Sequence, residues 1–344
     1  MLIYNSTQVS KELSTRLKEM PKAEIHVHLE GAIDAETIYE IARRNQIELP
    51  AKSLAEWKNF YEFRDFNHFA EVYTTSCNCI KTPDDYTSIV ERFLKNQSEQ
   101  NIQYSEAFVS VSFHLNKLGA DELLEALAAG VALGEAKYNS RVKFIADISR
   151  EFPATQTEVL EFAKQGREKG LFIGLGLGGI EIGNPPENFI ETYQQAKKQG
   201  LRVVAHAGET DGAKSIRSAI ESLSIERVGH GIRCLEDPEL IEELRCKQIP
   251  LEVSPNSNYC LGIVDGDRPH PIRQMIDAGL YCTLNSDDPA MFSTNLNNEY
   301  ITLASQGFSW EELWQLNINT LEASFLREVE KNMHLKKWQE FLLR

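Results

Sequence analysis

Two histidines near the start of the chain, in Glu24-Ile25-His26-Val27-His28-Leu29-Glu30, have the i, i+2 spacing that lines one face of a β-strand. On that face they could converge on a metal ion, or they could be two polar residues on a solvated strand surface. Three further clusters favour the metal. Each closes an apolar, β-branched run: Val203-Val204-Ala205-His206-Ala207-Gly208-Glu209, Arg227-Val228-Gly229-His230-Gly231 and Thr283-Leu284-Asn285-Ser286-Asp287-Asp288-Pro289. Zinc sites that do chemistry use His and carboxylate ligands and leave room for a water. His26, His28, His206 and Asp287 offer three borderline nitrogen donors and one oxygen, a set matched to zinc. The water's pKa in such a site falls to about 7, which makes hydroxide available at neutral pH.

Side chains so far apart in sequence need a scaffold that gathers strand ends. Strand-like runs fall at 23–28, 102–109, 142–148, 171–177, 202–206, 227–230, 250–253 and 281–285. Amphipathic segments of helical period lie between them, at 121–137, 157–170, 186–200, 213–223 and 238–247. Such alternation means parallel strands with crossover helices. Eight repeats with polar residues at the strand C-terminal ends predict a (β/α)₈ barrel of about residues 20–325 within a single 1–344 domain. The stretch from 28 to 102 is too long for one crossover. Its helical patterns at 33–44 and 84–100, with an aromatic-rich run at 57–73, predict extra helices over the barrel mouth. Phe63, Phe66 and Phe113 could line that mouth but are read as apolar core. The segment 310–343 predicts further helices as a structural cap.

Bulk properties narrow the partners. Against 51 Asp+Glu stand 36 Lys+Arg, a net charge of −15 that repels phosphate backbones and argues against nucleic acid or anionic membranes. The six cysteines contain no C-x-x-C pair and read as reduced thiols. Residues 1–6 lack a signal-peptide pattern, and no apolar run approaches the ~20 residues of a membrane span, so a cytoplasmic location is expected.

Two motifs mislead. Gly174-Leu175-Gly176-Leu177-Gly178-Gly179 satisfies G-x-G-x-x-G, yet Ile180-Glu181-Ile182-Gly183-Asn184-Pro185-Pro186 blocks the helix a dinucleotide site needs. The next strand ends in His206 instead of a ribose-binding acid. His28-Leu29-Glu30 mimics the H-x-E half of cytidine-type zinc deaminases, but the required P-C-x-x-C is absent.

Taken in order, residues 21–38, His206-Ala207-Gly208-Glu209, Gly229-His230-Gly231, Ser254-Pro255-Asn256-Ser257-Asn258 and Leu284-Asn285-Ser286-Asp287-Asp288-Pro289 resemble the adenosine/adenine deaminase family. The resemblance implies one zinc per chain held by His26, His28, His206 and Asp287. It implies that Glu209 donates a proton to purine N1, that His230 orients the attacking hydroxide, that Asp288 bonds N7 and that the Gly179 backbone meets N3. His28 and Glu30 would also face the substrate. Related binuclear hydrolases need a carboxylated lysine near the fourth strand end, and 172–184 contains none.

The family's variation bears on the substrate. Adenosine deaminases place Asp where this chain has Glu30, a position expected to face the ribose, and adenine deaminases often carry Glu there. Adenine deaminases also tend to carry Asp-Ser-Ser where this chain has Gly178 and Gly179, and glycines there imply a roomier pocket. The leading expectation is deamination of adenosine to inosine and ammonia. Adenine, or a 5′- or N6-modified adenosine such as aminofutalosine, is the alternative. A catalytically silent relative would lack Glu209, His230 or a ligand, and none is missing.

Overall fold

Runs rich in Val, Ile and Ala, buried on both faces, form eight strands: β1 (Lys22–His28), β2 (Ile102–Val109), β3 (Arg141–Ser149), β4 (Phe172–Gly178), β5 (Arg202–Ala207), β6 (Arg227–His230), β7 (Leu251–Val253) and β8 (Cys282–Leu284). The structure, a computed structural model, describes residues 8–62 and 66–343. The expectations for Phe63 and for residues 1–6 fall outside them. All neighbouring strands pair in parallel and follow sequence order. The seam between β8 and β1 is joined by a bridge of Val27 with Asp287. There the His28 N–H donates to the Asp287 carbonyl at 2.8 Å and the Asp287 N–H to the His26 carbonyl at 3.1 Å. The Asn285 side chain adds to the seam, accepting from the N–H groups of Ile25 and His26 at 3.0 and 3.1 Å. This is the expected (β/α)₈ barrel.

Helices Ala120–Lys137, Gln156–Glu168, Ile190–Lys198, Ala213–Ser218 and Pro238–Lys247 make the anticipated crossovers. Two depart from the sequence reading. The helix expected from 186 opens as a 3₁₀ turn, Pro186–Phe189, before Ile190. The one expected over 213–223 widens into a π turn at Ala219–Leu223 and stops at Ser224, whose φ is +51°. Helices Pro255–Cys260, Ile272–Asp277 and Leu296–Ser305 were not anticipated. The first two are six residues long, too short for a periodic signal.

The long insertion after β1 holds helices Ala35–Arg44, Leu54–Tyr61, Phe66–Cys79 and Pro83–Glu99. They do different jobs. Pro83–Glu99, opened by a capping box of Thr82 and Asp85, packs along Ala120–Lys137 in the outer ring. Phe66–Cys79 reaches the barrel mouth, where Phe69 stacks on Phe292 with ring centroids 5.2 Å apart. Helix Trp310–Ala323 braces the start of β1, the Asn317 amide accepting from the Ala23 N–H and donating to the Pro21 carbonyl. No described helix is long and apolar enough to cross a membrane.

Candidate active site

Three strand ends, those of β1, β5 and β8, bring the four expected ligands together. The side chains of His26, His28, His206 and Asp287 each offer a donor atom, and these atoms all lie within 4.8 Å of one another. Nε2 of His28 faces Nε2 of His206 at 3.1 Å, and Asp287 Oδ1 lies 3.4 Å from Nε2 of both His26 and His28. His26 Nε2 is buried without a hydrogen bond, an orphan that a metal bond would satisfy.

The far side of three of the four ligands is fixed, as metal-bound side chains require, while Nδ1 of His28 is buried without a hydrogen-bond partner. His26 Nδ1 donates to Glu252 Oε2 at 2.6 Å, and His206 Nδ1 to the Leu177 carbonyl at 3.0 Å. Ser257 donates to Asp287 Oδ2 at 2.7 Å. Behind Glu252 stands the buried Arg227, 2.5 Å from both Glu252 and Glu106, its guanidinium 3.8 Å over the Phe325 ring. Burial pushes His28 down to about 4 and His206 well below its ordinary value, so both present neutral nitrogen at neutral pH. Burial also opposes a charge on His26, but Asp287 and Glu252 outweigh it and push its pKa up to about 10. The carboxylates therefore draw positive charge to the centre of the site. The donor set fits one divalent ion.

Glu209, His230 and Asp287 form a second cluster that shares Asp287 with the first. His230 Nε2 lies 3.6 Å from Glu209 Oε2. Burial and then the Asp287 charge push Glu209 well above the usual carboxylate range, which leaves it an acid with a proton to give. Burial and Asp287 do the same to Asp288, while burial holds His230 at about 4. Two of these positions carry backbone strain. His230 and Asp287 sit at φ +61° and +65°, the left-handed region, at a cost on the order of 1–3 kcal/mol each. Asp288 also needs a glycine beside it, because a Cβ on Gly31 would lie 1.7 Å from its Oδ1.

These groups border a small cavity of about 90 Å³ whose mouth is apolar. Phe66 and Phe113, expected in the core, line it instead, together with Phe69 and Tyr73. They are available because Phe66–Cys79 lies across the mouth and Phe113 belongs to a 3₁₀ turn just beyond β2. Gly179 also borders the cavity, at φ +85°, but Glu30 does not. Glu30 is 1 % exposed; its Oε1 accepts from the Ser110 N–H at 3.0 Å and from His114 Nε2 at 2.8 Å, and Tyr73 OH reaches its Oε2 at 3.4 Å. Tyr86 OH, 2.7 Å from His114 Nδ1, donates to that nitrogen and so fixes the tautomer.

The roomier pocket expected at Gly178 and Gly179 is not found. A Cβ on Gly178 would fall 2.3 Å from Asp147 Oδ2, and one on Gly179 2.1 Å from Glu151 Oε2. Carboxyl groups from the β3 side take up that space. Asp147 and Glu151 were missed in the sequence, as was Glu181. Glu181 is 2 % exposed and accepts from the backbone N–H groups of Gly208, Glu209 and Thr210 at 2.8, 2.8 and 2.9 Å, and from Ser215 Oγ at 2.5 Å. It clamps the turn that presents Glu209. Its only sequence signal was an acid two residues after the failed G-x-G-x-x-G motif.

Comparison with known proteins identifies relatives of the same fold. The chain is 34 % identical over 323 residues to an adenine deaminase of Chlorobium phaeobacteroides (strain BS1), covering 93 % of this chain and 96 % of that one. The crystal structure of an adenine deaminase from Arthrobacter aurescens superposes with a TM-score of 0.89 at 32 % identity, over 94 % of this chain and all of that one. A zinc-bound amidohydrolase from Burkhoderia ambifaria shares the fold, with a TM-score of 0.90 at 24 % identity over 99 % and 96 % of the two chains. The sequence pattern described as Adenosine deaminase matches residues 21–340, and the chain belongs to that family of deaminases.

Proposed function

We propose that this enzyme hydrolyses the C6 amino group of free adenine, giving hypoxanthine and ammonia, with one zinc ion held by His26, His28, His206 and Asp287. The observation that carries the choice of adenine over adenosine is Glu30. Burial favours its neutral form, but the bonds from His114 and Ser110 outweigh this and hold its pKa below the usual range. An ionised carboxylate can only accept; Oε1 already accepts two bonds, and Tyr73 covers Oε2. Tyr73 stands between Glu30 and the cavity and is itself tied to Ser110 Oγ at 2.7 Å. The group expected to hold a sugar is thus withdrawn from the cavity. The adenine deaminases among its relatives support the same reading, which displaces the leading expectation of adenosine.

A bound zinc would lower the pKa of a water to about 7 and so supply the nucleophile. The chain's own groups prepare the substrate. Glu209 gives its proton to N1, which draws electron density from C6. Neutral His230 accepts a proton from the attacking water and passes it to the leaving amine; as ammonia departs and the C6 carbonyl forms, the remaining hydroxyl proton returns to Glu209. N7 of a neutral purine is an acceptor and needs a donor, and Asp288 can donate because it is kept protonated. The aromatic mouth excludes bulk water, which strengthens each of these interactions.

The decisive experiment compares kcat/KM for ammonia release from adenine, adenosine, 2′-deoxyadenosine and a 5′-substituted adenosine. Adenine is expected to be favoured by ~10²-fold or more, since a nucleoside must displace a packed wall. A preference for any nucleoside would overturn the free-base reading. Removal of the metal is expected to lower stability by about 3–4 kcal/mol relative to protein in zinc at 100–1,000 times its Kd. A melt that chelation leaves unchanged would count against the assigned ligands.

A further inference from the structure

We propose that Asp147 selects a free purine over a nucleoside by accepting the N9–H that only the free base carries. This rests on the free-base reading above. Its first support is the order of strands around the barrel. Because β1 to β8 follow one another in sequence, each group's strand fixes the direction from which it faces the cavity. Glu209 follows β5, Gly179 follows β4, Asp288 follows β8 and His230 ends β6.

Placing N1 at Glu209, N3 at Gly179 and N7 at Asp288 sets the rest of the ring. The purine perimeter then runs N1, C2, N3, C4, N9, C8, N7 from β5 through β4 and round to β8. C6 faces the short arc of β6 and β7, where His230 stands. N9 faces the long arc of β3, β2 and β1. Whatever reads N9 must come from that arc.

The polar groups bordering the cavity there differ in what they have left to offer. The Glu151 oxygens already accept from Ser149 Oγ at 2.7 Å and from the Ile180 N–H at 3.0 Å. Ser110 Oγ is paired with Tyr73. Asp147, two residues before the end of β3, is 4 % exposed, and its Oδ1 is buried without a hydrogen-bond partner. A buried acceptor left unpaired is costly and calls for a partner. The protein has made room for this one: besides Gly178, a Cβ on Gly176 would lie 2.6 Å from Oδ1. Two glycines of β4 are thus spent on seating a carboxyl whose hydrogen bonding is incomplete without a ligand.

The chemistry is selective. In a nucleoside N9 carries the sugar and has no hydrogen to donate. A site built around a substrate N–H rejects the analogue lacking it, because its own polar group is then left buried and unpaired.

The test pairs adenine with 9-methyladenine, which removes the N9–H and adds a single methyl. The wild type is expected to prefer adenine by ~10²-fold or more in kcat/KM. Asp147→Asn keeps an acceptor and the volume, and should hold that ratio within about tenfold. Asp147→Leu should lower kcat/KM for adenine by ~10²-fold and leave 9-methyladenine within about tenfold of its wild-type value, so that the ratio collapses. A Leu variant that keeps the full ratio would overturn the role of Asp147, as would a wild type that accepts 9-methyladenine as readily as adenine. The second measurement needs no variant and holds even if Asp147→Leu does not fold. A wild type that prefers adenosine sinks the free-base reading itself, whereas an adenine-specific wild type with an unmoved Leu ratio sinks only this inference.

Discussion

Glu209→Gln is expected to keep its metal and lose kcat for adenine by ~10²–10⁴-fold, the usual contribution of a positioned general acid. Glutamine preserves shape and can still hydrogen-bond, but it has no proton to transfer to N1. Glu209 is not a metal ligand in the four-residue set, so zinc measured by elemental analysis should be unchanged. The pH profile supplies a second readout. The reactive form is the protonated one, and burial with Asp287 raises its pKa. Activity is therefore present below that raised pKa and is lost as pH climbs through it. In the glutamine variant position 209 no longer titrates, and the alkaline limb should flatten or move to the pKa of another group. A variant with near wild-type kcat would remove Glu209 from the mechanism.

Glu181→Gln tests how that acid is held. Three consecutive backbone N–H groups and a serine hydroxyl converge on this one carboxylate. Glutamine would aim an NH₂ at groups that are themselves donors. Hydrogen bonds to a charged partner contribute about 1.5–3 kcal/mol each, and an unsatisfied buried donor costs about 1–3 kcal/mol. A loss of about 2–4 kcal/mol in a denaturant melt follows. The turn it clamps carries Glu209, and a misplacement of about 1 Å in a catalytic group can cost ~10²-fold. We therefore expect kcat to fall by ~10²-fold under conditions where the variant is fully folded, with zinc content intact. Lower stability with an unchanged kcat would make Glu181 a structural residue only.

Much of this was legible because barrels put chemistry at strand ends. His206 follows Val203-Val204-Ala205 and His230 follows Val228-Gly229, so strand and functional side chain announce each other, and the i, i+2 pair of His26 and His28 marks a third strand end. What escaped was long-range or short. Glu181 meets its partners 27 to 34 residues away, and Glu30 meets His114 across 84. No local periodicity encodes such pairings. The pocket wall was misread for the same reason. Gly178 and Gly179 suggest empty space along β4, and only the tertiary structure reveals the neighbouring strand filling it with Asp147 and Glu151. Tyr73 and Phe66 sit in an insertion whose aromatic pattern could not say which ring faces the mouth.

The seam between β8 and β1 has a consequence for how the chain reaches this state. It joins segments about 260 residues apart, through Asn285 to Ile25 and His26 and through Ser286 to the buried Glu24. Contacts of such separation carry the largest loop-closure entropy, so they are the slowest to form and belong late in folding. The same seam carries His26, His28 and Asp287. A cation captured there ties the first strand to the last, and the ion becomes a latch on barrel closure as much as a reagent.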